Sequence, residues 1–186
     1  MRVTDDSGAL GSDGVTVSIV NANPVAEAGS DRQVDEGELL SLSGRASDPG
    51  QGDALLVAWD LDSDGVNFEE DVGGSSSVEW RYGDGPARYV VAYRVRDDDD
   101  PYTGSAGGEI GEAIDTLEVV VANRPPEAEA GGPYASREGE RIRLTGEGRD
   151  VAADELAYEW DLDGDGTYEL SGSSVSGVWT QPGEYS

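Results

Sequence analysis

The chain has 186 residues, 40 of them acidic and 12 basic, and a formal net charge of −28. It contains no cysteine, no histidine and no lysine, which removes disulfides and zinc–thiolate sites, Ser-His nucleophiles and Schiff-base chemistry. The charge disfavours nucleic acid and anionic membranes as partners, and no apolar run approaches the roughly 18 residues of a membrane span.

Leu, Ile, Val and Phe supply only 36 of the 186 residues, a composition that borders on that of disordered chains. Clear strand periodicity argues for folding, and cations that neutralise the acidic surface would reconcile the two. In chain order, Arg2-Val3-Thr4-Asp5-Asp6 leads directly into a repeat segment instead of a signal peptide. It resembles Arg94-Val95-Arg96-Asp97-Asp98, and Val15, Val17 and Ile19 align with Leu117, Val119 and Val121 as a closing strand. Pro24 to Gly29 returns as Pro126 to Gly131, followed in each copy by Glu36-Gly37 or Glu138-Gly139 and by Gly44 or Gly146. Short alternating runs follow at Leu40 and Leu42, and at Ile142 and Leu144.

The strongest repeat is Trp59-Asp60-Leu61-Asp62-Ser63-Asp64-Gly65, which recurs 101 residues later as Trp160 to Gly166. Upstream of it, Leu55, Val57, Trp59 and Leu61 alternate with other residues, as do Leu156, Tyr158, Trp160 and Leu162. Each set lines one face of a strand with an aromatic anchor. Val78 and Trp80 mark another strand, with Trp179 as the expected core equivalent of Trp80. Tyr89, Val91, Tyr93 and Val95 form a long strand, and Leu117, Val119 and Val121 close the repeat. No stretch shows a 3.6-residue period. About seven short strands in about 100 residues, with a tryptophan on a central strand, fit an immunoglobulin-like sandwich. The expected division is 1–22 as the C-terminal strands of one repeat, 23–123 as a complete repeat and 124–186 as the N-terminal part of another. The linkers 21–24 and 123–126 are short and stiffened by proline.

Asp60, Asp62 and Asp64, and their copies Asp161, Asp163 and Asp165, have the D-x-D-x-D-G spacing that converges carboxylate oxygens on a hard cation such as calcium. The plainer alternative is a solvated turn in which Asp caps backbone amides. An EF-hand would need a bidentate acid at position twelve. Asp71 falls there in the first copy and Gly172 in the second, and no flanking helices are visible, so an EF-hand is excluded. Asp97 and Asp98, with Asn21, Asn23 or Asn123, form a second candidate set beside a linker, against the ordinary reading of 97–100 as a solvated charge run. No acid is expected to be buried, and with no raised pKa there is no basis for a glycosidase pair, so no enzyme is expected. Trp80, Trp179 and Tyr102 are the aromatics that could stack on a sugar.

The order A-x-A-G, E-G, L-x-G, S-D-P, W-D-x-D-x-D-G, P-G-E-Y and R-V-T-D-D-S-G resembles the PKD (polycystic kidney disease) domain family. This chain departs from it in an extra acidic position in the Trp-Asp turn and in a long acidic loop over 97–116. The resemblance implies an all-β chain of tandem PKD-type immunoglobulin-like sandwiches, one complete and two partial. In bacteria and archaea it implies a surface or secreted protein. The expected function is a non-enzymatic extracellular repeat: a calcium-stiffened rod, surface fibre or filament subunit. Its expected partners are covalent tandem neighbours or further copies of itself, with residues 1–22 of one subunit completing 124–186 of the next by strand addition. The alternative is a polysaccharide- or protein-binding accessory module of a secreted hydrolase or adhesin.

Overall fold

The computed structural model describes residues 1–17, 21–50, 54–97, 111–152 and 154–185, and all regular structure among them is β. β1 (Arg2–Thr4) and β2 (Leu10–Ser12) form an antiparallel hairpin with Val3 opposite Gly11. Asp5 closes its turn by accepting from the backbone N–H groups of Ala9 at 2.7 Å and Ser7 at 3.0 Å. Two strands of three residues bury almost nothing by themselves, and Leu10, Val15 and Val17 are exposed. Val15 and Val17, the described positions of the expected closing strand, are not in a strand, and Ile19 lies outside the described residues.

The next nine strands are β3 (Val25–Glu27), β4 (Arg32–Asp35), β5 (Leu40–Ser43), β6 (Arg45–Ser47), β7 (Leu56–Asp60), β8 (Val72–Gly73), β9 (Ser77–Trp80), β10 (Ala87–Arg96) and β11 (Glu112–Ala122). One sheet has the order β4-β11-β10-β7-β8, while β3 pairs with β6 and β5 with β9. Within the large sheet β11 runs parallel to β4, with Val121 opposite Val34, and β10 runs antiparallel to β7, with Tyr93 opposite Trp59. The alternation read from Tyr89 to Val95 and from Leu117 to Val121 thus lies on the two longest strands. Their inward residues Val91, Tyr93, Val95, Val119 and Val121 are buried, as is Trp59. β12 (Glu127–Glu129), β13 (Arg141–Thr145), β14 (Glu147–Arg149), β15 (Glu159–Trp160), β16 (Leu170–Ser171) and β17 (Ser174–Val178) follow. They pair as β12-β14, β13-β17 and β15-β16. The strand expected from Leu156 to Leu162 is shortened to β15, and Tyr158 and Trp160 are only half-buried.

The chain divides into two compact units. The first holds Met1–Gly29, Leu42–Val78 and Val91–Leu117, and the second holds Ser30–Ser41, Glu79–Val90 and Glu118–Ser186. The first is centred on Trp59 and Tyr93, whose ring centroids lie 4.5 Å apart. This pair explains the glycine of L-x-G: a Cβ at Gly44 would lie 2.7 Å from the Tyr93 ring. Arg94 stacks over Phe68 at 4.0 Å and pairs with Glu70. Asp115 accepts the Ala28 N–H at 2.8 Å, so one acid fastens the first strand of the repeat. In the second unit Tyr82 stacks on Tyr89 at 4.2 Å, and Gly146 repeats the close approach, with a Cβ position 3.1 Å from the Trp160 ring.

Candidate metal centre

The first acidic loop leaves β7 at a fixed point. Trp59 and Asp60 are both fully buried, so the strand end that launches the loop is immobilised by the core. The loop returns at Asp71, whose N–H bonds the Trp59 carbonyl at 2.9 Å and whose Oδ2 accepts the Leu61 N–H at 2.7 Å. Asp60 Oδ2 accepts the Glu69 N–H at 3.1 Å. Asp60 Oδ1 is buried and has no hydrogen-bond partner. Carboxylate oxygens of Asp60, Asp62 and Asp71 lie within 4.8 Å of one another. Buried polar atoms are almost always satisfied, and a cation is one partner that can satisfy a carboxylate grouped with two others. An all-carboxylate donor set selects a hard ion such as calcium. Asp64 is not in this group. It caps the turn at Gly65, accepting from Val66 at 2.8 Å and Asn67 at 3.1 Å, and those two N–H groups hold its pKa below the usual carboxylate value.

The second loop uses the same frame with a different balance. Glu169 takes the place of Asp71: its N–H bonds the Trp160 carbonyl at 3.0 Å and its Oε2 accepts the Leu162 N–H at 3.1 Å. Oxygens of Asp161, Asp163, Asp165 and Glu169 gather within 4.8 Å. Both Asp161 oxygens, however, are already accepting from backbone, Oδ2 from Gly166 at 2.8 Å and Oδ1 from Gly164 at 2.7 Å. The Gly166 N–H foremost, with the other loop amides, holds the Asp161 carboxyl below its usual range. Asp161 is also half-exposed where Asp60 is buried. Asp60 thus keeps one oxygen without a donor, where both Asp161 oxygens have one.

Asp97 is buried, with Oδ2 accepting from Asn21 Nδ2 at 2.6 Å and Oδ1 from the Gly111 N–H at 2.9 Å. Asn21 and Asp97 are thus brought together, although both Asp97 oxygens have donors. Asn123 is exposed and its side-chain amide donates to the Arg124 carbonyl at 2.8 Å. Asp98 lies outside the described residues, as does Tyr102. Two sequence expectations need correction. Three acids, Glu36, Asp60 and Asp97, are buried where none was expected, and each accepts a backbone N–H from at least nine residues away. Trp80 is 39% exposed and not a core residue. β9 ends there, and Tyr82 takes the inward aromatic place. Its carbonyl accepts the Gly37 N–H at 2.7 Å, as the Trp179 carbonyl accepts the Gly139 N–H at 2.8 Å. Trp179, half-buried against Tyr185 at 5.8 Å, therefore corresponds to Tyr82.

A repeated aromatic-anchored strand that runs into an acidic loop, within immunoglobulin-like sheets, defines an all-β chain of tandem modules. A family model described as the PKD domain matches residues 21–106 and 123–186, and the chain belongs to the PKD domain family. Among solved structures, the PKD domain of human KIAA0319, determined in solution, is similar at 15% identity and a TM-score of 0.34, over 68% of this chain and 100% of that one. No curated protein matches. PKD domains are typically non-catalytic, generally extracellular modules of structural or adhesive type. No helix among the described residues is long and apolar enough to cross a membrane.

Proposed function

We propose that this chain is an extracellular, non-enzymatic structural repeat whose acidic loops bind calcium and are stiffened by it. Its repeats are 1–22, 23–123 and 124–186, and its partners are neighbouring repeats, in the same chain or in further copies assembled head to tail. The observation that carries the calcium reading is Asp60, whose Oδ1 is buried without a donor and whose carboxylate groups with those of Asp62 and Asp71. Asp60, Asp62 and Asp71 would hold the ion in the first loop, and Asp161, Asp163, Asp165 and Glu169 in the second. The ion would neutralise like charges and tie the start of each loop to its end.

Extracellular modules bind calcium at about 0.1–1 mM, and occupancy at ten times Kd stabilises a fold by roughly 1.4 kcal/mol per site. Thermal melting in calcium, in chelator and in NaCl of matched ionic strength tests this. A full shift in NaCl alone would reduce the effect to screening and overturn the reading. By calorimetric titration Asp71→Asn should remove the first loop's binding, whereas Asp64→Ala should leave it. The rival reading, a polysaccharide-binding accessory module, draws on the exposed ring of Trp80. Glycan retention lost in Trp80→Ala would favour it.

A further inference from the structure

Glu36 is the other fully buried acid, and its partners lie far along the chain. Oε2 accepts the Gly85 N–H at 2.7 Å, and Oε1 accepts the N–H of Arg124, in the linker after the complete repeat, at 2.6 Å. The Glu36 N–H in turn donates to the Ala122 carbonyl at 2.9 Å. Gly85 lies directly against the same linker, since a Cβ there would meet the Ala122 carbonyl carbon at 3.0 Å and the Asn123 nitrogen at 3.1 Å. Beside it, Gly37 adopts φ +70° with its own N–H on the Tyr82 carbonyl, and Arg81 Nη1 donates to the Gly37 carbonyl at 2.7 Å. A Cβ on Gly37 would lie 2.9 Å from Val151 Cγ1, so this methyl of the following repeat rests on the bare glycine. Hydrogen bonds to a charged acceptor are about twice as strong as neutral ones, and these two are part-buried.

We propose that the Glu36–Gly37 turn is the socket that fixes the following repeat: Glu36 grips the linker through the Arg124 N–H, and Gly37 seats Val151. Glu36 is then a positioning residue for the array, apart from the Asp60 and Asp161 loops, although its carboxylate also lies within 4.8 Å of those of Asp84 and Asp154. The second copy of the turn supplies the control. Gly139 makes the same turn bond to Trp179, yet Glu138 is exposed. The glutamate is therefore not needed to form its own turn, and the burial of Glu36 comes with the linker.

The chain has no cysteine, so spin labels can be placed through Gln33→Cys and Ser176→Cys, both at exposed positions within the second compact unit. The background protein should give one narrow distance distribution. Glu36→Ala should broaden it and speed exchange of the Arg124 amide by about tenfold or more, the equivalent of losing one charge-assisted bond. The amides of Val91 and Val119 should stay protected. Val151→Asp, which leaves Glu36 and its repeat intact, should broaden the distribution too and keeps the proposal testable if Glu36→Ala does not fold. Glu138→Ala should change nothing. An unchanged distribution in both Glu36→Ala and Val151→Asp would overturn the proposal, as would the same broadening in Glu138→Ala.

Discussion

Replacing Asp60 with asparagine should stabilise the fold in chelator and lose that advantage in calcium. Without a cation, Asp60 brings a buried negative charge to within 4.8 Å of Asp62 and Asp71. At that separation two like charges repel by roughly 1 kcal/mol in water and about 3.5 kcal/mol at the effective dielectric near a protein surface. Asp62 and Asp71 are exposed, so the lower figure applies, and two pairs cost roughly 2 kcal/mol. Asparagine keeps an oxygen for the Glu69 N–H and puts an amide donor where Oδ1 has none. In chelator, Asp60→Asn should therefore stabilise the fold by about 1–3 kcal/mol, the range for relieving an unsatisfied buried group. In calcium at a hundred times Kd the parent gains about 2.7 kcal/mol that the variant does not, and the advantage should vanish or invert. The assay is urea unfolding followed by tryptophan fluorescence, run for both proteins in both buffers. If Asp60→Asn destabilises equally in chelator and in calcium, Asp60 serves only to cap Glu69 and the reasoning fails.

Gly44→Ala should cost about 1–3 kcal/mol through overpacking, because its Cβ would sit 2.7 Å from the Tyr93 ring, while Gly83→Ala, with nothing within 4 Å, should lie within about 0.5 kcal/mol of the parent; urea unfolding of both checks the contrast. The pH dependence should carry two opposite signs. Asp154 has its pKa raised above 3.8 by desolvation and then by Glu36, Asp150 and Asp84. Its charge therefore opposes folding above that raised value, and stability is gained as pH falls through it toward 3.8. Asp64 and Asp161 are lowered below 3.8, so their contribution is present above 3.8 and lost as pH falls through their folded values. In unfolding curves across the acid range, Asp154→Asn should remove the gain and leave the loss.

The repeat, its strand faces and its acidic loops were legible in the sequence because each is a local pattern. Alternation over Tyr89 to Val95 states which side of β10 is buried, and the second Trp-Asp turn states that the loop is a module. The L-x-G glycine could be located but not explained until the Tyr93 ring was seen against it. What only the tertiary structure decided is which acids meet. The loop closes on Asp71 after eleven residues but on Glu169 after eight, so the closing acid has no fixed offset that a spacing rule could find. Asp64 matches the metal-like spacing, yet its neighbours' N–H groups claim it as a cap. Glu36 reads as half of an ordinary turn. Its donors lie 49 and 88 residues away, and burial of a charge is set by such distant donors, not by the residues on either side.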